Sequence, residues 1–158
     1  MNKQQIKDAI SALQKLLDDE PKKTLVTKDD IGVFAPKIDE YYYYLDNGNY
    51  VESCKWEGDD IDLFRLSQNN VFRTEQRAEK CIEINARVQE LIGDWVVDWG
   101  DYNQEKYSLF YSHERGKITG DYDFKTQHQG ATYMPYNAVI TLIEEFGDDL
   151  LIWMGLVR

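Results

Sequence analysis

Two stretches of the chain repeat one pattern, and this repeat constrains the fold more than any other feature of the sequence. Residues 72–83 and 133–144 each begin with an aromatic residue, and a residue that favours helix starts follows two positions on. Six positions on, both have a small apolar residue, ten positions on an apolar residue, and eleven positions on a Glu. Each stretch comes after a segment typical of a β-hairpin. The repeat therefore predicts two related hairpin–helix units in tandem.

The length fits one compact domain, and the order of elements predicts the α+β class with antiparallel sheets. Helices and hairpins alternate without the spacing of parallel βαβ units. Four apolar residues repeat at helical spacing ahead of Pro21 and predict an N-terminal helix: Ile6, Ile10, Leu13 and Leu17. The 158 residues thus divide into four segments: an N-terminal helix (1–20), a connector (21–38), a first hairpin–helix unit (39–93) and a second hairpin–helix unit (94–158).

A run of four tyrosines ahead of an Asn-Gly pair predicts the first hairpin. Asn47-Gly48 separates two strand-like runs, and the central residues of a type I′ turn both need a positive φ. With this pair at the tip, Leu45 faces Tyr50 across the ladder. Successive side chains of a strand point to opposite faces, so tyrosines lie on both faces of the hairpin. We expect one face to line the core and the other to be covered by a helix or exposed for binding.

Capping residues and apolar spacing predict two main helices. The first runs over 75–92, after Thr74 as its N-cap, and ends at Gly93; the second runs over 136–146 and ends at Gly147. The inner stripe of the first helix is predicted to contain seven residues: Ala78, Cys81, Ile82, Asn85, Val88, Leu91 and Ile92. Smaller elements are predicted as a short helix over 61–66, strands over 106–111, 118–124 and 131–134, and a short strand or helical turn over 150–154.

The acidic balance limits the classes of partner. With 29 Asp and Glu against 18 Lys and Arg, the net charge is −11; binding to nucleic acid or to an anionic membrane needs basic residues instead. No apolar run approaches the ~20 residues that cross a bilayer, and no signal-peptide core is present at the N-terminus. We therefore expect a cytoplasmic protein whose partners are basic proteins. Cys54 and Cys81 are expected to be small core residues without a disulfide.

Motifs for catalysis, cofactor binding and metal binding are missing from the sequence. It contains no nucleophile elbow, no phosphate-binding loop and no dinucleotide fingerprint. His113 and His128 fall in a predicted turn and a predicted loop without nearby ligands, and Asp121 and Asp123 are too few to hold a cation alone. We therefore expect no enzyme, no cofactor and no metal site.

Two acidic stretches interleaved with Tyr and Trp are the best candidates for a binding surface. Between Asp39 and Asp62 there are eight acids against one base, Lys55, and residues 94–123 contain seven acids against three bases. Carboxylates along a rigid surface imitate the phosphates of a nucleic acid, and aromatic side chains supply anchors. The expected contact residues all lie in the first stretch: Glu57, Asp59, Asp60, Asp62, Tyr42 and Tyr44. The alternative is a solvated acidic surface whose aromatics belong to the core.

Several segments carry a resemblance to a known family. They are PKIDEYYY (36–43) with DNG (46–48), NVFRT (70–74) with AEK (78–80), DW (98–99) with NQEKY (103–107), and QGATY (129–133) with IEEFGDDL (143–150). Together they resemble a family of small proteins encoded by phages and prophages of Gram-positive bacteria. The chain departs from the family at Gln76-Arg77 and Pro135-Tyr136, where acids and a Ser or Thr cap are usual.

The resemblance implies a context and transfers no activity. A small acidic phage protein without catalytic motifs is expected to inhibit a host defence protein, of the anti-CRISPR or anti-restriction type, by occupying its basic surface. Two alternatives remain open. One is a structural or assembly module of a phage that forms a homodimer through the N-terminal helix or the tyrosine hairpin. The other is a small-ligand (nucleotide) sponge with a pocket lined by four rings: Tyr42, Tyr44, Trp95 and Trp99.

Overall fold

The computed structural model describes residues 25–27, 30–32, 34–47, 50–123 and 131–157, which form helices and two small antiparallel sheets. The α+β class is therefore confirmed. The predicted N-terminal helix lies outside the described residues. The elements follow in the order β1 (Tyr41–Asp46), β2 (Tyr50–Lys55), α1 (Asp60–Ser67), α2 (Glu75–Ile92), β3 (Lys106–Ser112), β4 (Lys117–Asp123), α3 (Tyr136–Phe146) and α4 (Leu150–Trp153).

The register of the first hairpin differs by one residue from the predicted register. Asp46 pairs with Tyr50 and Leu45 with Val51, so that three residues, 47–49, connect the strands. The predicted pair Leu45–Tyr50 is therefore wrong. The apolar pattern accounts for the shift, since the observed register places Leu45 and Val51 opposite one another, and both pack against the main core. Asn47 has the positive φ (41°) that the turn was expected to need; Gly48 lies outside the described residues.

The four tyrosines divide between the two faces of this hairpin, as the strand period requires. Tyr43 packs against the main hydrophobic cluster of the protein. On the opposite face, Tyr42 is fully buried and Tyr44 half-buried in a second cluster. This second face is covered by α1, whose Leu66 packs there. The hairpin therefore lies between two apolar clusters, and each of its faces is at least partly covered.

In both halves of the chain, a residue two or three positions before a main helix pairs with the first strand of the preceding hairpin. Phe72 forms an antiparallel bridge with Tyr43, and Met134 forms one with Tyr107. The strand predicted over 131–134 is reduced to this single bridge. Each bridge fixes the start of the following helix beside the hairpin that precedes it.

The bounds of the two main helices agree with the prediction. The hydroxyl of Thr74 accepts a hydrogen bond from the Arg77 N–H at 3.3 Å, which satisfies one of the free donors at the start of α2. Gly93 and Gly147 end α2 and α3 with the same positive φ of 52°. This left-handed conformation favours glycine and explains both stops.

The inner stripe of α2 is predicted correctly only in part. Ala78 and Val88 are buried, but Asn85 is exposed and Ile84 is buried in its place. The helix contacts both the β1–β2 hairpin and the C-terminal helices.

The main cluster is formed mostly by α2, α3 and α4, and one buried carboxylate ties it to the start of the described chain. Asp149 accepts hydrogen bonds from the Leu25 N–H (2.6 Å) and the Val26 N–H (3.2 Å). Burial raises the pKa of Asp149, and these two bonds oppose the rise.

Residues 150–153 form a helix, the second of the two forms predicted for this segment. No helix within the described residues has both the length and the apolar character that crossing a bilayer requires.

A fully buried lysine organises the loop ahead of β3. The Lys106 ammonium donates hydrogen bonds to the carbonyls of Asp101 (2.9 Å) and Gln104 (2.8 Å) and lies 5.4 Å from the centre of the Trp99 ring. Two carbonyl acceptors and an aromatic face compensate for the loss of water around the ammonium. The Lys106 ammonium thereby holds the end of the acidic loop over 94–105 by two hydrogen bonds.

We expect Gly120→Ala to lower the free energy of unfolding by about 1–3 kcal/mol, the usual range for overpacking. A Cβ at this position of β4 would lie 2.6 Å from Val139 Cγ1 on α3. Gly32→Ala is the matched control, since a Cβ there meets nothing within 4 Å among the described residues. Urea unfolding monitored by tryptophan fluorescence measures both changes, and equal midpoints for the two variants would contradict the close packing of β4 on α3.

Candidate protein-interaction surface

Helix α1 begins in a tight arrangement of carboxylates and backbone N–H groups. Asp59 is its N-cap and accepts a hydrogen bond from the Asp62 N–H at 2.9 Å. The second carboxylate oxygen of Asp62 accepts from the N–H groups of Glu57 (2.7 Å) and Gly58 (2.9 Å). Gly58 has a φ of 74°, which brings these two N–H groups onto one oxygen. The start of α1 is therefore fixed by local hydrogen bonds.

A polar network holds α1 against the hairpin. The Tyr42 hydroxyl donates to Asp62 Oδ1 at 2.6 Å, and Arg65 Nη1 donates to the Tyr42 hydroxyl at 2.7 Å. The same nitrogen of Arg65 lies 3.3 Å from Cys54 Sγ, and its guanidinium lies 3.6 Å from the centre of the Tyr44 ring. Asp62 is 3% exposed, so α1 turns Asp62 and Arg65 towards the hairpin.

The charge states within this network follow from its hydrogen bonds. Burial raises the pKa of Asp62, but hydrogen bonds from Tyr42 and from the N–H groups of Glu57 and Gly58 outweigh burial and leave that pKa below its ordinary value. Burial and the bond to Asp62 raise the pKa of Tyr42. At neutral pH a carboxylate, a neutral phenol and a guanidinium therefore form one connected chain.

The outward face of α1 is apolar as a consequence. The helical period places Phe64 opposite Asp62 and places Ile61 and Leu63 on the two flanks of the helix, and Ile61, Leu63 and Phe64 are 59%, 51% and 65% exposed. Glu57, Asp59 and Asp60 are exposed around the start of the same helix. We call the three apolar side chains the α1 patch and these three acids its acidic rim.

The structure separates the expected contact residues into two groups. Glu57, Asp59 and Asp60 are exposed, and their role in binding stays a prediction. Asp62 and Tyr42 are buried and bonded to one another, so both are corrected from surface contacts to structural groups. Their carboxylate and ring were expected at the surface because acidic and aromatic residues alternate in this stretch. The ring of Tyr44 is half-buried beneath Arg65.

The residues of the α1 patch were not identified from the sequence. The segment 61–66 was predicted as a helix, and apolar residues of a short helix are expected to face a core. One signal was available: Asp59 and Asp62 have the three-residue spacing at which polar side chains cap a helix start, and a carboxylate engaged in this way turns its neighbours outward. The side of α1 that faces the protein depends on the hydrogen bond from Tyr42 to Asp62, and Tyr42 is remote in sequence.

The four rings that are expected to line a ligand pocket are Tyr42, Tyr44, Trp95 and Trp99. The ring contacts of Tyr42 are with Tyr44 and Trp56, whereas Trp99 contacts Tyr133. Two pockets lined by described residues, of about 690 and 410 Å³, contain none of those rings.

The cysteines and histidines show no sign of a reactive site. Cys54 and Cys81 are free, half-buried and packed against the two clusters, as predicted. Burial raises the pKa of Cys81 to about 11, so its thiol is protonated at neutral pH. His113 is exposed beside the Tyr111 ring, and His128 lies outside the described residues. Within the described ranges, no group of three or more His, Cys, Asp and Glu side chains is placed to hold a metal ion.

No protein-family model matches the chain, and neither a curated protein nor a solved structure shows significant similarity to it. The resemblance to phage proteins therefore stays a prediction.

We expect Tyr42→Phe to lower the free energy of unfolding by about 1–3 kcal/mol, because it leaves a buried carboxylate oxygen and a guanidinium N–H without their partner. Tyr44→Phe is the matched control. It keeps the ring beneath Arg65, and its hydroxyl makes no hydrogen bond among the described residues, so a change within about 0.5 kcal/mol is expected. Chemical denaturation measures both; similar losses in the two variants would contradict the network.

The same network predicts a pH dependence of stability. Because the folded-state pKa of Asp62 lies below its ordinary value of 3.8, the stabilisation is fully present above that pH and is lost as the pH falls through the folded-state pKa. The stability difference between the wild type and Asp62→Asn should therefore be constant near neutral pH and shrink below about pH 3.8. Denaturation at a series of pH values measures this difference. A difference that grows on acidification would show that the carboxylate is destabilising.

Proposed function

We propose that this protein is a non-enzymatic binding protein that uses the α1 patch and its acidic rim to occupy a basic surface of another protein. The observation that carries the proposal is the orientation of α1: Asp62 is buried against the hairpin while Phe64 is 65% exposed. An exposed apolar group rimmed by polar residues is typical of protein–protein interaction sites. A large aromatic side chain is also a common interface anchor.

The charge of the rim favours a basic partner. Glu57, Asp59 and Asp60 make no ion pair among the described residues, whereas Arg65 is turned inward onto Tyr44. The outward surface of α1 therefore combines apolar groups with negative charge alone. Such a surface complements a protein that presents an apolar pocket among Lys and Arg residues, and electrostatic attraction would speed their association.

A second copy of this chain fits the same surface poorly. In a two-fold symmetric dimer each patch meets itself, so the acidic rims would face one another and repel. A homodimer through α1 is therefore not proposed. The described residues give no observation that favours a structural module over a binding protein.

The wider context comes from the resemblance of the chain to phage and prophage proteins. We propose that the partner is a nucleic-acid-handling defence protein of the bacterial host, such as a CRISPR or restriction nuclease, and that the complex forms in the host cytosol without direct contact to nucleic acid. Within this proposal the two halves of the chain are tandem hairpin–helix units of common origin. The equivalent bridges at Phe72 and Met134 and the equivalent stops at Gly93 and Gly147 support that relation.

The proposal is tested by measuring binding to a panel of purified CRISPR and restriction nucleases by biolayer interferometry. For a nuclease that binds, Phe64→Ser should weaken the affinity at least about 30-fold, as expected for an interface anchor worth about 2 kcal/mol. Val96→Ser is the control, because Val96 is a similarly exposed apolar residue (75%) in the loop ahead of β3, away from α1. An affinity that Phe64→Ser leaves unchanged would contradict the role of the patch.

The acidic rim is tested on the same complex by charge reversal at increasing salt. Glu57→Lys with Asp60→Lys should slow association and flatten its dependence on salt, since both charges would then repel a basic partner. Asp59 is left intact because it caps α1. Glu144→Lys, an exposed acid on α3, is the control. Association that ignores both salt and the reversal would exclude an electrostatic partner surface.

A further inference from the structure

We propose that a pocket between the first hairpin, α2 and α4 binds an uncharged, planar heterocycle of the nucleobase type. The pocket has a volume of about 410 Å³, within the range of small-molecule sites. It lies apart from the expected set of four rings and does not depend on the proposed function of α1. We call it the amide-lined pocket.

The deep part of the pocket is apolar and firmly held. Phe72 and Ile152 are both 2% exposed and belong to the main cluster, and Trp153 and Leu45 line the wall half-buried. Phe72 is fixed further by its two hydrogen bonds to the backbone of Tyr43. Two aromatic side chains therefore lie in the wall of a cavity that the core keeps in shape. Aromatic walls of this kind stack on the faces of nucleobases.

The mouth of the pocket carries four side-chain amides: Gln68, Asn69, Asn70 and Asn85. Asn70 has a structural role, because its amide donates to the Leu45 carbonyl (2.8 Å) and accepts from the Leu45 N–H (2.7 Å). The amides of Gln68 and Asn85, by contrast, make no hydrogen bond among the described residues. Two amides, each with a donor and an acceptor, are therefore available to a ligand.

None of the described residues that line the pocket is charged, although 30% of the residues of the chain are charged. Cys81 also lines it, and burial raises the pKa of this thiol to about 11, so it is neutral as well. A ligand with a formal charge would find no counter-ion in the wall. An anionic ligand would also be repelled by a protein of net charge −11.

These properties together select the class of ligand. A carboxamide pairs with a donor and an acceptor that stand side by side, and Asn or Gln reads such an edge on a nucleobase. The half-buried Trp153 side chain would stack on one face of the ring, beside the half-buried Leu45. A free base or nucleoside fits this combination, whereas a nucleotide adds a phosphate for which the described lining residues provide no cationic side chain.

The experiment is isothermal titration of the full chain with adenosine, guanosine, cytidine and uridine. At least one nucleoside should bind saturably, and its 5′-monophosphate should bind more weakly, with a deficit that shrinks as salt screens the repulsion. Saturation by none of the four nucleosides would overturn the proposal. Tighter binding of the monophosphate would equally overturn it, because the site would then select an anion.

Two variants connect binding to this pocket. Asn85→Leu keeps a similar size and removes the amide, so it should weaken binding about tenfold. Asn137→Leu is the matched control, since Asn137 is likewise exposed on a helix but lies outside the pocket. Thermal melts of both proteins verify the fold. Equal affinity of Asn85→Leu and the control for the nucleoside would overturn the assignment of the site.

Discussion

The hydrogen bond between the Tyr42 hydroxyl and the Asp62 carboxylate decides which side of α1 meets solvent. A buried carboxylate must be satisfied, and Tyr42 together with the N–H groups of Glu57 and Gly58 satisfies Asp62 where α1 meets the hairpin. Once this face is fixed, the period of 3.6 residues leaves no freedom to the rest of the helix. Ile61 and Phe64 must then face outward, although burying them would be favourable for the isolated chain. The apolar surface is therefore a consequence of a polar contact in the interior.

The hairpin that supplies Tyr42 acts as a partition between two clusters. Because strand side chains alternate, Tyr43 and Leu45 pack against the main cluster, whereas Tyr42 and Tyr44 pack in the second cluster. An aromatic residue suits both roles, since its ring is apolar and its hydroxyl provides a hydrogen-bonding group at the end. Four tyrosines in a row thus allow a strand with two buried faces to accept a charged helix on one of them. A run of aliphatic residues would offer no partner to Asp62.

The features that the sequence predicts well depend on neighbours along the chain. Thr74 caps the start of α2, and Gly93 and Gly147 end α2 and α3. These local signals predict the bounds of the two helices. The register of the first hairpin differs by one residue from the prediction. Packing of Leu45 and Val51 on the distant main cluster outweighs the preference of the Asn-Gly pair for a two-residue turn. The positions of Asp62 and Lys106 were not predicted either. Each is charged yet buried, and the partner of Asp62 is twenty residues away. General rules on composition assign such residues to the surface.

The apolar centre of the proposed binding surface separates it from simple imitation of nucleic acid. A surface that only replaced phosphates would need regularly spaced carboxylates, and its affinity would fall steeply with salt. Here three exposed acids lie at the start of α1, next to Ile61, Leu63 and Phe64, and the two kinds of group would contribute differently to binding. The acids would guide a basic partner towards the surface, whereas burial of the Phe64 ring would set how long the complex lasts. A surface of this kind selects a partner by the shape of an apolar pocket as well as by its charge. The proposed surface would therefore discriminate between basic proteins that a purely acidic surface would bind alike.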